Sequence, residues 1–124
     1  MQVFKNKWFT CFARQEDIEN ASLCEAIRRA GRGLIDVDLG GGLIKQRVAR
    51  QSEGRSGGYR TIIVYRAGAD VFFIHGFAKN ELDNVSTSDL RGLKEAASVY
   101  LQMNNVTLAA LVKEGRLVEV KCDV

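Results

Sequence analysis

The chain has 124 residues, with 18 Lys and Arg against 15 Asp and Glu, 12 glycines, no proline, three cysteines and one histidine. That length suits one domain over residues 1–124, and 27% charged with 46% hydrophobic residues is a globular composition that indicates neither wholesale disorder nor a membrane protein. The longest aliphatic run, Leu108 to Val112, is far short of the roughly 20 residues a membrane helix needs, and the N-terminus has no apolar stretch of the secretory kind, so the cytoplasm is the expected compartment.

The net charge of +3 is unevenly placed. Residues 1–42 carry six basic and six acidic side chains, residues 43–79 seven and two, and residues 80–124 five and seven. A positive middle third is the footprint expected of a polyanion-binding protein, since Lys and Arg that neutralise phosphates release condensed counterions.

Phe4, Trp8, Cys11 and Phe12 fall at i, i+4, i+7 and i+8 and predict a first helix over about Asn6 to Gln15, with Trp8 and Phe12 in the core. Ser22 and Glu25 have the capping-box spacing for a second helix, which Gly31 ends. Five glycines between Gly31 and Gly42 make that stretch a turn, a short extended piece and a loop. The period then changes to two. Leu43–Arg50, Tyr59–Arg66 and Val71–Lys79 read as three strands of an antiparallel meander, joined by a mobile loop over Gln51–Gly58 and a tight turn at Ala67–Asp70. Asp89–Met103 returns to helical spacing, Thr107 caps a short helix ended by Gly115, and Leu117–Val120 alternates as a last strand. The predicted order α-α-β-β-β-α-α-β indicates an α+β domain, a small antiparallel sheet with helices packed on one face.

Several chemistries are disfavoured. Gly40-Gly41-Gly42 lacks the spacing of a nucleotide-binding loop, and Asp36-x-Asp38 is followed by no further ligand, so these aspartates read as turn or ion-pair residues. Cys11, Cys24 and Cys122 are odd in number and widely spaced, which argues for reduced, buried thiols rather than a disulfide or zinc site. His75, with Phe73 and Phe77 on its strand face, reads as a packed residue rather than a base or ligand.

The basic residues are more informative. Strand alternation places Lys45 and Arg47 on one face about 6–7 Å apart, where they can hold a phosphodiester, and it makes Lys45 a candidate for proton transfer. Arg50 closes that strand, Arg60 opens the next and Lys79 ends the third. Whether Lys45 and Arg47 meet Arg60 depends on strand register.

The runs Leu43-Ile44-Lys45-Gln46-Arg47-Val48-Ala49-Arg50, Gly57-Gly58-Tyr59-Arg60-Thr61-Ile62 and Phe77-Ala78-Lys79-Asn80-Glu81 resemble the RelE/HigB-like toxins of bacterial type II toxin–antitoxin modules. The resemblance implies a RelE/ParE-like fold and a metal-independent ribonuclease, needing no cofactor, that cleaves translated mRNA in the ribosomal A site and is held inactive by a cognate antitoxin, often a helix-turn-helix DNA-binding protein. It implies Lys45, Arg47, Arg60 and Lys79 as catalytic residues, with Arg50, Arg55, Tyr65 and Asn80 contacting RNA. Some relatives place a tyrosine near the C-terminus in the site, whereas this chain has none beyond Tyr100, which falls on the apolar side of a helix. The same fold includes ParE-like toxins that bind gyrase without catalysis, and a catalytically inactive antitoxin-binding module is a third alternative.

Overall fold

The computed structural model describes residues 1–50, 54–78 and 86–122, with only the backbone of Arg50 and of residues 54–57. The element order is β1 (Val3–Asn6), α1 (Lys7–Gln15), α2 (Asn20–Gly31), β2 (Val37–Gly40), β3 (Leu43–Arg50), β4 (Gly54–Val64), β5 (Val71–Ala78), α3 (Thr87–Leu101), α4 (Asn105–Lys113) and β6 (Leu117–Val120). The strands form one six-stranded sheet in the order β2-β3-β4-β5-β1-β6.

The predicted meander is present, with β3, β4 and β5 paired antiparallel. Two strands are added to the prediction, and one changes the sheet from antiparallel to mixed. β1 pairs parallel with β5 and antiparallel with β6, so it is the link that brings the C-terminal strand into the sheet. Its four residues run straight into α1, and Phe4 coincides with the helical spacing of Trp8 and Phe12. The two segments nevertheless bury different faces. Phe4 stacks on Phe72 at 5.4 Å, whereas α1 buries Phe9 and Ala13 on the other side of the sheet. β2 is the short extended piece before the glycines, paired to β3 through Val37 opposite Lys45. β4 begins at Gly54, so the second half of the predicted loop, Gly54–Gly58, is strand.

Helices cover both faces, not one. On the rear face α1 and α2 bury Phe9, Ala13, Leu23, Ala26 and Ile27 against Ile44, Val48, Ile63 and Phe73. On the front face α3 and α4 bring Leu90, Leu93, Ala97 and Leu108 to Leu43, Ile62, Val64 and Phe72. Local signals set the helix ends. Asn6 accepts the Phe9 N–H at 2.7 Å, Ser86 accepts that of Asp89 at 3.1 Å and Asn104 that of Thr107 at 2.9 Å, each a side chain satisfying a first-turn donor. The expected capping box at Ser22 is not used, because α2 starts two residues earlier behind Glu19. α2 ends through Gly33, at φ 82°, with the Leu34 N–H bonded to the Arg29 carbonyl at 2.9 Å; Gly31, expected to stop the helix, is its last residue. Gly115, at φ 79°, ends α4 as predicted.

The cysteine expectation is corrected. Cys24 of α2 and Cys122, just beyond β6, form a disulfide across 98 residues of chain, their Cα atoms 5.6 Å apart. Only Cys11 is free among the cysteines, and it is exposed rather than buried. The pairing follows from β1, which carries β6 back beside the N-terminal helices.

Candidate functional site

Alternation along β3 divides its side chains cleanly. Ile44, Gln46 and Val48 point to the rear and are buried, while Leu43, Lys45 and Arg47 point to the front. Burial on the front falls along the strand. Leu43 is fully buried beneath the C-terminal part of α3, where Leu101 approaches so closely that a Cβ on Gly42 would lie 2.7 Å from it; Gly42 also sits at φ 82°. Lys45 is half-buried and Arg47 is exposed. α3 therefore covers the end of the face marked by Leu43, Val64 and Phe72 and leaves the cationic end accessible.

Register brings the cations together. Arg47 lies directly opposite Arg60, and Lys45 directly opposite Ile62. Directly opposed residues have Cβ atoms about 5 Å apart, and like charges placed so are destabilising. An Arg–Arg cross-strand pair is thus a poor choice for stability and a good one for gripping an anion between two guanidinium groups. Arg60 is half-buried with its Nη1 atom shielded from solvent, and Phe77 stands on its other side in β5.

The backbone carrying these cations is held from behind. Gln46 is fully buried, donates to the Ala26 and Leu34 carbonyls at 3.0 Å each, and accepts the Asp36 N–H at 2.9 Å. Asp36 accepts the Arg47 N–H at 2.7 Å where β2 no longer pairs with β3. Arg29, 4% exposed, donates to the Arg47 carbonyl and pairs with Glu25 at 2.5 Å and Asp36 at 3.7 Å. Thr61 closes the β3–β4 side by donating to the Gln46 carbonyl at 2.8 Å. Asp36 is the ion-pair residue expected, and Asp38 serves the turn by accepting the Gly40 N–H at 2.9 Å. The supporting roles of Gln46 and Arg29 escaped sequence reading, since neither spacing nor charge marks a residue buried under a strand it does not belong to.

Of the residues implied by resemblance, Lys45, Arg47 and Arg60 share the front face. Tyr65 does not join them. It packs with the rear cluster, its hydroxyl 4.0 Å from a Cβ built on Gly31, because Val64 takes the front position at that end of β4. Tyr100 stacks on Phe72 at 4.6 Å, at the covered end of the face, and burial pushes its phenol pKa up. Lys79 and Asn80 lie outside the described residues, as do the side chains of Arg50 and Arg55.

Trp8, read as core, is placed differently, whereas His75 is packed between Trp8 and Phe77 as expected, though with other neighbours. Trp8 is 46% exposed, and His75 is half-buried on the front face opposite Ile62. A bulge separates His75 from Phe73: Ile62 pairs with His75 and Ile63 with Phe73, so the extra residue Ile74 turns Phe73 to the rear while His75 and Phe77 stay in front.

Among the described residues no cluster of His, Cys, Asp and Glu is arranged to hold a metal ion, and no helix is long and apolar enough to cross a membrane. The family model described as the RelE toxin of the RelE / RelB toxin–antitoxin system matches residues 1–120. A search of curated proteins returns no significant match.

Proposed function

This chain belongs to the RelE toxin family of toxin–antitoxin systems, and on that premise we propose that it is a metal-independent endoribonuclease that cleaves translated mRNA on the ribosome and so arrests growth. The observation that carries the reading is the register that sets Arg47 against Arg60 in the row next to Lys45.

The reaction is attack of a ribose 2′-oxygen on the adjacent phosphorus with departure of the 5′-oxygen, leaving a cyclic phosphate and a free 5′-hydroxyl. Negative charge grows on the non-bridging oxygens as the pentacoordinate phosphorane forms, and preoriented cations stabilise that charge more than they stabilise the ground state. Arg60 and Arg47 are the pair for those oxygens. Arg60, half-buried beside Phe77, is the more enclosed of the two, and Arg47 approaches from the exposed side. Lys45 sits one pleat along, placed to exchange a proton with the sugar or the leaving oxygen. Lys79 and Asn80 complete the phosphate cradle in this reading, and Arg50 and Arg55 contact the flanking RNA backbone. Membership of the family brings with it a cognate antitoxin as partner; covering or neutralising the cationic end of the front face is the direct way for such a partner to silence this site.

The test is transcript cleavage in a translating bacterial extract. The wild-type protein is expected to cut mRNA and stop growth on expression, and the Lys45→Ala, Arg60→Ala double variant to do neither while unfolding at the wild-type temperature. A folded double variant that cuts at the wild-type rate sinks the proposal. Inhibition of gyrase supercoiling by the purified protein, with no cut transcript, would transfer it to the non-catalytic class.

A further inference from the structure

The register that gathers the cations also brings the chain's one histidine to their face. Phe77 is directly opposite Arg60, and His75 directly opposite Ile62, which is opposite Lys45. The front face therefore carries two rows: Arg47, Arg60 and Phe77 in one, and Lys45, Ile62 and His75 in the next. Lys45 and His75 stand on strands to either side of β4, with Arg60 between those strands one pleat along. Two strand spacings, about 10 Å, separate their Cα positions, a gap that a lysine chain and an imidazole can close from opposite sides around a phosphate.

The ring of His75 is held in place. Trp8 stacks on one of its faces with centroids 4.3 Å apart and planes at 30°, and Phe77 meets it at 5.0 Å with planes at 80°. Phe12 backs the indole at 5.3 Å and lies so close to β5 that a Cβ on Gly76 would be 2.7 Å from it. Such stacking occupies the face of an imidazole and leaves its two nitrogens at the ring edge, and His75 is only half-buried. The bulge in β5 keeps it on the side of the cations while Phe73 turns away.

Cleavage by a 2′-oxygen needs two proton transfers on opposite sides of phosphorus, because the entering 2′-oxygen and the departing 5′-oxygen are in line. A lysine ammonium has three donors and no acceptor, which suits the departing oxygen. An imidazole, titrating ordinarily near about pH 6.5, is the side chain that offers an acceptor nitrogen at neutral pH and can keep the proton it takes.

We propose that His75 is the general base of this site, taking the proton of the ribose 2′-hydroxyl while Lys45 delivers one to the 5′-oxygen. The O2′–P bond forms as the P–O5′ bond breaks; one proton passes from O2′ to the imidazole and one from the ammonium to O5′, and exchange with water restores both groups. The imidazolium formed lies against the π face of Trp8, which favours a cation, and the bound phosphate offsets the charge of Lys45, Arg47 and Arg60 on the same face. This rests on the RNA-cleaving reading and adds to it the base that the arginines cannot supply.

The test uses ribosomes programmed with a synthetic mRNA on which the wild-type cut has been mapped, and the same mRNA with a bridging sulfur in place of the 5′-oxygen at that bond. Sulfur departs without a proton, so it bypasses the acid and not the base. His75→Phe keeps an aromatic ring between Trp8 and Phe77 and removes both nitrogens. At saturating protein it is expected to cut the ordinary mRNA about 100-fold more slowly than the wild type and to stay slow on the sulfur mRNA. His75→Gln, which keeps a polar side chain, should do the same. Lys45→Ala should be slow on the ordinary mRNA and regain most of its rate on the sulfur one. Either His75 variant cutting at the wild-type rate overturns the proposal, and so does recovery of the His75 variants on the sulfur mRNA, which would make His75 the acid. A slow rate matched by an equal loss of ribosome binding also overturns it, since packing alone would then explain the variant. A wild-type protein that cuts no mRNA overturns the RNA-cleaving reading together with this one.

Discussion

The two faces of the sheet use the same strands for opposite ends. On the rear, the polar side chains that β3 and β4 bury among the described residues are tied: Gln46 to Ala26, Leu34 and Asp36, Thr61 to the Gln46 carbonyl, and Tyr59 to the Glu16 carbonyl. The disulfide between Cys24 and Cys122 lies on that side too, within the same cluster as α1 and α2. On the front, half the face is packed under α3 and α4, and the other half sets two arginines against each other. Polar groups that are fully satisfied hold a unique structure, whereas like charges in register weaken one. Changes behind the sheet should therefore cost stability, and changes at the cationic end in front should cost activity.

The largest expected effect is at the rear. Closing a loop of this length removes much of the freedom of the unfolded chain, on the order of 4 kcal/mol in the chain-entropy account. The Cys24→Ser, Cys122→Ser double variant, or the wild-type protein under strong reductant, should lose about that much in urea unfolding, while Cys11→Ser changes nothing. Equal midpoints for oxidised and reduced protein would show that the bond contributes no stability. Next is Gln46→Leu, which fits the space but orphans the Ala26 and Leu34 carbonyls and the Asp36 N–H. A buried orphan costs about 1–3 kcal/mol; the Ala26 carbonyl is buried and the other two groups are partly so, so a total loss of about 2–3 kcal/mol is expected. A loss below about 1 kcal/mol by urea unfolding would show that the network behind β3 is dispensable.

In front the signs divide. Arg60→Ala should lower the cleavage rate in a translating extract by about 100-fold, the scale for removing one preorganised donor from a developing oxyanion. The same substitution relieves the opposition to Arg47 but also removes the other interactions of a half-buried side chain, so stability should change by no more than about 1 kcal/mol, the range for a cross-strand pair. A variant that loses activity and stability together would erase the distinction between the faces, because Arg60 would then be a structural residue as well.

How much of this was legible in the sequence follows from the range of each signal. The bounds of β3 and β6 could be read as Leu43–Arg50 and Leu117–Val120 because alternation is local, and the helix signal at Gly115 is equally local. The grouping of Lys45 with Arg47 needed only the pleat. Their meeting with Arg60 needed register, which is set by packing on both faces and by the bulges at Val48/Arg50 and Ile62/Ile63. β1 was hidden because Phe4 fits the spacing of the helix that follows, and with β1 hidden, neither the parallel pairing nor the return of β6 could be anticipated. The disulfide was lost with it, as Cys24 and Cys122 meet only once β6 is placed. Trp8 was misread for the same reason: its helix buries Phe9 and Ala13, one step round from the stripe that the sequence suggested.

The smallest expected effect separates the covered half of the front face from the open half. Tyr100 stacks on Phe72 under α3, and burial raises its pKa above the ordinary value near 10, an effect that a hydrogen bond with Asn6 only partly offsets. The folded protein therefore keeps the phenol protonated at pH values where the unfolded chain has begun to lose that proton. Folding binds protons in that window, so stability falls as pH rises past the unfolded value, and the loss is complete once the folded phenol also ionises. Below about pH 9 both states hold the proton and Tyr100 adds no pH dependence. Tyr100→Phe removes the ionisation while keeping the ring on Phe72, so its unfolding midpoint should track the wild type near neutrality and fall less steeply above pH 10. Since Phe72, Val64 and Leu43 lie at the opposite end of the face from Arg47 and Arg60, the same variant should cleave RNA at the wild-type rate at neutral pH. An inactive but stable Tyr100→Phe would bring the covered half into the chemistry and redraw the boundary of the site along β3.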